Sequence, residues 1–176
     1  MTRTARSGAA GRRPHPRSAK LFRFDRALQV QIVGGADEAG RGCLAGPLVA
    51  AGVAFDLSRL GRSARRDLRA LDDSKRLSPV AREELARAIV LHAARVVVRS
   101  ACAPTLDRDG LHRSNLRLLA ECLSDLDSVA QITLSDGFRL PEPAPCDHRA
   151  VVGGDRTSAA IAAASVIAKT VRDRMM

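Results

Sequence analysis

The chain contains no tryptophan, no tyrosine and only four phenylalanines in 176 residues. That argues against a protein built to stack bases on aromatic rings, such as an RRM or many OB-folds. Ala, Val, Leu and Ile must fill the core instead. No apolar run reaches the roughly 18 residues that a membrane span needs, so no membrane partner is expected. Lysine is scarce: Lys20, Lys75 and Lys169 stand against a Lys plus Arg total of 29. The four cysteines, Cys43, Cys102, Cys122 and Cys146, form no CxxC pair. Cys146 and His148 alone do not make a zinc site. Reduced thiols in a cytoplasmic protein account for all four cysteines.

Hydrophobic residues make up 45% of the chain, enough for one domain with a real core. The formal charge is +10, unevenly spread. Residues 1–30 hold Arg3, Arg6, Arg12, Arg13, Arg17, Lys20, Arg23 and Arg26 against Asp25, a balance of +7 that leaves +3 for the rest. A pI near 11 points to a polyanionic partner met largely by this end of the chain. Residues 1–25 are rich in Arg, Ser, Gly and Pro and have no apolar h-region, which does not suit a secretory signal. Arg and Ser also suit an organelle transit peptide, but the glycines and prolines weaken an amphipathic helix. The expectation is a disordered basic arm over 1–27 followed by one folded domain over 28–176, acting as a monomer.

From Leu28 the pattern changes. Val30, Ile32 and Val33 lead into Gly34-Gly35-Ala36, a short buried strand ending at Asp37. Residues 48–55 read as a second strand paired with it, and 58–78 as a polar connection. Ser78-Pro79 is an N-cap followed by proline at the first helical position, opening a helix to about His92. Residues 95–101 alternate like a strand, 114–126 have helical spacing and 129–134 form another strand running to Asp136-Gly137. After a Pro-rich loop, Val151-Val152 precede Gly153-Gly154-Asp155, and an Ala-rich helix runs from Thr157 onward. The first strands follow one another directly. The pattern is therefore α/β, with a mixed sheet and helices on its faces.

Four acids stand where structural acids are uncommon. Asp37 and Glu38 lie at the end of an apolar strand, Asp136 at the end of another, and Asp155 between two glycines and a helix start. Acids at the ends of neighbouring strands meet at one sheet edge. Clustered carboxylates cannot all stay ionised without a cation, and oxygen ligands suit Mg²⁺ or Mn²⁺. Taken singly, Asp155 is equally a helix cap and Asp136-Gly137 equally a turn. Neighbours in a regular strand face opposite ways, so Asp37 and Glu38 share a site only if the strand ends or twists there. Ala39-Gly40-Arg41-Gly42 supplies such an ending. Its glycines permit close approach to a ligand, and Arg41 between them suits a phosphate.

Gly35-Ala36-Asp37-Glu38-Ala39-Gly40-Arg41-Gly42, with Leu44-Ala45-Gly46-Pro47-Leu48-Val49-Ala50-Ala51 behind it, resembles the signature of ribonuclease HII. Asp73-Ser74-Lys75-Arg76-Leu77-Ser78 with Arg82-Glu83-Glu84-Leu85, then Asp136-Gly137, then Gly154-Asp155, Ser158, the 161–169 run and Arg172-Asp173 resemble its later blocks in order. The GRG triplet favours type HII over type HIII, and the short gap from Asp136 to Asp155 resembles the bacterial branch. The resemblance implies an RNase H-like fold, a mixed five-stranded sheet flanked by helices. It also implies endonucleolytic cleavage of RNA in RNA–DNA hybrids and of single ribonucleotides embedded in duplex DNA. Asp37, Glu38, Asp136 and Asp155 are then the catalytic, metal-binding acids. Two Mn²⁺ or Mg²⁺ ions about 4 Å apart would drive hydrolysis, leaving 5′-phosphate and 3′-hydroxyl ends. Gly40, Arg41 and Gly42 match the segment that senses the 2′-hydroxyl, and Ser74 and Lys75 are further nucleic-acid contacts.

In the last helix, Ser158, Ala162, Ser165, Lys169 and Arg172 share one face, and Ile161, Ala164, Ala168, Val171 and Met175 another. The apolar face is expected on the sheet. Ser165, Lys169 and Arg172 are expected to meet nucleic acid; an ordinary solvated face with a Lys169–Asp173 pair is the plainer alternative. Members of the family continue into a segment carrying a tyrosine that stacks on the sugar beside the junction. This sequence has no tyrosine, and the resemblance implies a missing C-terminal part. Two other functions fit the residues: a basic nucleic-acid-binding remnant with weak catalysis, and another RNase H-like nuclease such as a junction resolvase.

Overall fold

The computed structural model describes residues 18–43, 45–71, 77–140 and 147–176. Strands β1 (Ile32–Ala39), β2 (Leu48–Asp56), β3 (Arg95–Ala101), β4 (Ile132–Asp136) and β5 (His148–Val151) form one sheet in the order β3-β2-β1-β4-β5. β2 runs antiparallel to both β1 and β3, whereas β4 runs parallel to β1 and β5 parallel to β4. The expected mixed five-stranded sheet is therefore present. The helices are α1 (Ser18–Ala27), α2 (Arg62–Asp67), α3 (Pro79–His92), α4 (Ala103–Asp109), α5 (Leu111–Asp127) and α6 (Ala159–Met175). Among the described residues no helix is long and apolar enough to cross a membrane.

Local chemistry explains several boundaries. The Ser78 hydroxyl accepts from the Ala81 N–H, and Pro79 starts α3 where its missing N–H does no harm. Ser158 caps α6 in the same way through Ile161. The expected polar connection over 58–78 holds the short helix α2 instead, because Leu60, Ala64, Leu68 and Leu71 give it an apolar side to bury.

The core forms two layers, one on each side of the sheet. Val33, Val49, Val53 and Phe55 pack with α1, α3 and α6 on one face. Ala36, Leu48, Ala50 and Ala54 pack with Leu118, Leu119, Leu123 and Leu126 of α5 on the other. Small residues let α6 lie very close to the sheet. A Cβ at Gly35 would come within 2.4 Å of the Ile161 backbone nitrogen, so only glycine fits there.

Two expectations about chain ends are corrected. The disordered arm does not extend to residue 27: α1 docks on α6 through buried Leu21, Phe22 and Asp25. Basic composition concealed that apolar face. Residues 1–17 of the expected arm lie outside the described residues. The last helix is not simply two-faced either. It is covered by the sheet, α1 and α3, so residues from Ala159 to Ala164 are all buried, whereas Met175, expected against the sheet, is 51% exposed.

Candidate active site

Strand register brings the first three acids together. Ala36 pairs with Ser135 across the parallel β1–β4 ladder, so Asp37 and Asp136, each one residue further on, come side by side at the ends of that ladder. β1 itself does not end there, contrary to expectation; it stays paired with β2 through Ala39 opposite Val49. The alternation of side chains is kept. Asp37 shares the face of Gly35 and meets the Ser165 hydroxyl on α6, whereas Glu38 shares the face of Ala36 and meets Asn115 on α5. The two acids therefore straddle the end of β4. Both feel the charge of Asp136.

The electrostatics follow from this crowding. Asp37 is only 7% exposed. Burial, opposed by the hydrogen bond from Ser165 and reinforced by the charges of Glu38 and Asp136, pushes its carboxyl from 3.8 up to about 7. The Glu38 N–H donates to Asp37 Oδ1 at 2.8 Å. Burial also raises the Glu38 carboxyl, against the pull of the Arg41 guanidinium. Asn115 lies near enough to Glu38 to lower its pKa, but bonds of ordinary geometry are lacking. Glu38 Oε2 and both polar atoms of the Asn115 side chain are buried without a hydrogen-bond partner.

Asp155 sits half-buried on the Gly154–Arg156 turn between β5 and α6. That turn is tied to the cluster, since the Gly154 N–H donates to Asp136 Oδ1 at 2.7 Å. The donor set is all oxygen, carries mutual repulsion and includes an orphaned carboxylate atom, which fits a hard divalent cation. Among the described residues, no three Asp, Glu, His or Cys side chains already converge as a ready-made cage. Asp37, Glu38 and Asp136 are the residues that could hold such an ion, with Asp155 on the adjoining turn.

Beside the acids lies a cleft of about 270 Å³ lined by Glu38, Gly40, Cys43, Arg82, Ser165 and Lys169, among others. Lys169 reaches it while pairing with Asp173 at 2.6 Å, and Asp173 also takes Arg82. Arg172 corrects an expectation. It is 5% exposed and donates to the carbonyls of Pro47 at 3.0 Å and Ala45 at 2.9 Å. It borders the same cleft, but its guanidinium is held inward as a clamp for the loop after β1. Gly40, at φ +110°, rests against it; a Cβ there would come within 2.6 Å of Arg172 Nε and of the Pro47 carbonyl. Gly42 differs: a Cβ there would meet nothing within 4 Å. Arg41 lays its guanidinium over the Phe138 ring, 4.3 Å from the centroid. Ser74 and Lys75 lie outside the described residues.

Sequence reasoning missed Asn115 and Phe138, and placed Arg82 in a motif block without giving it a role. Only Asn115 left a readable signal, as a polar residue with Ser114 on the otherwise apolar face of α5.

Comparison with known proteins agrees with this fold. A family model described as ribonuclease HII matches residues 34–176. Ribonuclease HII of Chelativorans sp. (strain BNC1) is 46% identical over 144 residues, covering 82% of this chain and 54% of the relative. Ribonuclease HII of Bartonella tribocorum is 40% identical over 144 residues, covering 82% and 61%. The chain thus spans little more than half the length of these curated relatives. The crystal structure of ribonuclease H2 from Pyrococcus horikoshii OT3 superposes with a TM-score of 0.67 at 28% identity, covering 82% of this chain and 73% of that one.

Proposed function

The chain belongs to the ribonuclease HII family, and on that premise we propose that it is a divalent-metal-dependent endonuclease cutting the RNA strand of RNA–DNA hybrids. The observation that carries this reading is the crowding of Asp37, Glu38 and Asp136 around the end of β4, with Asp37 held up to about 7 by burial and by its neighbours' charge. Such a cluster is unfavourable unless a cation joins it. Mg²⁺ or Mn²⁺ suits the oxygen donors, and Asp155 would contribute from its turn as the cluster closes. When bound, a pair of such ions supplies an activated water and charge stabilisation for the leaving 3′-oxygen, giving 5′-phosphate and 3′-hydroxyl ends.

The chain's own residues do the rest. Ser165 orients the Asp37 carboxylate, and Gly154 orients that of Asp136. Lys169, at the rim of the cleft, meets a phosphate. The 40–42 turn reads the sugar. Gly40 is demanded by the fold, but nothing among the described residues demands glycine at Gly42. Close approach of a ligand to the backbone does. Peptide N–H and C=O groups there can recognise a 2′-hydroxyl whatever the base, and that hydroxyl distinguishes RNA from DNA. The same reading extends to one ribonucleotide embedded in duplex DNA.

The test is cleavage by the purified 176-residue chain of four labelled substrates with Mg²⁺ or Mn²⁺: a hybrid, a duplex with one ribonucleotide, an all-DNA duplex and a four-way junction. Cutting of the first two alone is expected, with Gly42→Ala losing activity at unchanged melting temperature. Cutting of the junction instead would make the protein a resolvase. Binding without metal-dependent cutting would leave a nucleic-acid-binding domain.

A further inference from the structure

Phe138 is the one phenylalanine near the acids; Phe22, Phe24 and Phe55 all belong to the core layer around α1 and β2. Its place is well determined. It follows Asp136-Gly137 at the end of β4, the Ser135 hydroxyl donates to its carbonyl, and its ring lies 5.9 Å from that of His112. The Arg41 guanidinium lies over it, 4.3 Å from the ring centroid. Among the described residues the 40–42 turn has few other restraints. Gly40 is packed against Arg172 and Pro47, Cys43 N donates to the Gly40 carbonyl at 3.2 Å, and Gly42 has open space where a side chain would be. Arg41 is thus the outer anchor of the turn, and the ring beneath it is where that anchor holds.

We propose that Phe138 is a specificity-setting positioning residue: by seating the Arg41 guanidinium it fixes the 40–42 backbone relative to Asp136. The inference rests on the proposed cleavage of ribonucleotide-containing duplexes. A cation over an aromatic face is attracted by the ring quadrupole, and leucine offers no such face. Because Phe138 lies two residues beyond Asp136, the contact ties the sugar-reading backbone to the metal-binding acids. This link matters most when one ribonucleotide must be found in a single register. In a continuous hybrid every register presents a 2′-hydroxyl, so a loosely held reader loses less.

The test compares wild type with Phe138→Leu, Phe138→Tyr, Arg41→Leu and the Phe138→Leu/Arg41→Leu double variant. Each is assayed for kcat and KM on a single-ribonucleotide duplex and a long hybrid, and for metal-free binding of duplexes with and without the ribonucleotide. Phe138→Leu is expected to raise KM for the single ribonucleotide by about twofold to fivefold, the range for an exposed cation–π contact. kcat and the hybrid rate should hold. Phe138→Tyr should restore wild-type behaviour, and in the Arg41→Leu background Phe138→Leu should add nothing. Full additivity of the two substitutions, or a Phe138→Leu enzyme with wild-type preference, overturns the proposal and leaves the assigned activity standing. A wild type that neither cuts nor prefers the ribonucleotide overturns both.

Discussion

The carboxylate of Asp25 on α1 accepts a hydrogen bond from the backbone N–H of Ala160 on α6 at 3.1 Å, fully buried. It thereby satisfies a first-turn amide that the helix itself cannot. The same α6 end follows the turn that carries Asp155 and holds Asp136. Asp25→Ala should lower unfolding stability by about 1–2 kcal/mol, as loss of a helix cap does. Asp25→Asn keeps an acceptor and should lose less. Denaturant titration of the three proteins checks this; equal stability of Asp25→Ala and wild type would mean the buried bond contributes nothing.

Asp25 and Asp37 also set a pH dependence. Burial, the largest cause at both, raises Asp25 from 3.8 to about 6 and Asp37 from 3.8 to about 7. A carboxyl with a raised folded pKa holds its proton more tightly in the native state. Its contribution is full below 3.8 and is lost as pH rises through the folded value. The metal-free chain should therefore melt lower at pH 8 than at pH 5. Asp37→Asn should flatten that slope, melt higher than wild type at pH 8 and cut no substrate. Mg²⁺ should raise the wild-type melting temperature at pH 8 and leave that of Asp37→Asn nearly unchanged. A slope unaltered by Asp37→Asn would remove the argument from crowded carboxylates.

Much of this was legible in the sequence because local chemistry decided it. Ser78-Pro79 marked the start of α3, alternation marked β3, and the acid after an apolar run marked the end of β4. What was not legible depended on which layers cover which faces. The 4-3 spacing of Ser158, Ala162, Ser165, Lys169 and Arg172 placed them along one side of α6 but could not say that the β1–β2 loop would bury Arg172. Likewise, averaging composition over 1–25 hid Leu21 and Phe22 among arginines, so the start of the fold was set ten residues late. The facing problem of Asp37 and Glu38 was solved neither by ending nor by twisting β1. β4 stops beside them, which no pattern within β1 could reveal.

Arg172 and Lys169 were indistinguishable in sequence and should separate in experiment. Arg172→Ala leaves the Pro47 and Ala45 carbonyls without their donor and opens space beneath Gly40. It should destabilise the chain by about 2 kcal/mol or more, as loss of one partner in a buried charged hydrogen bond does, and leave the salt dependence of binding intact. Lys169→Ala should do the reverse: little change in melting, but a shallower slope of log affinity on log salt by about one phosphate contact. Identical behaviour of the two variants would refute the division between clamp and contact.

The N-terminal end offers the sharpest contrast between charge and packing. Residues 1–17 carry Arg3, Arg6, Arg12, Arg13 and Arg17 and no acid; residues 18–27 form α1, which buries Leu21, Phe22 and Asp25. Deleting 1–17 should leave melting and cleavage chemistry unchanged and weaken duplex binding at low salt. The salt slope should fall by roughly one unit for each arginine that meets a phosphate. Deleting 1–27 should in addition strip the cover from α6 and remove its Asp25 cap. Burial of a Leu or Phe side chain is worth about 2 kcal/mol each, so that chain should unfold far more easily or fail to accumulate. If the shorter deletion leaves the salt slope untouched, the arginines do not meet nucleic acid. If the longer one melts like the shorter, α1 is not part of the fold that positions the site.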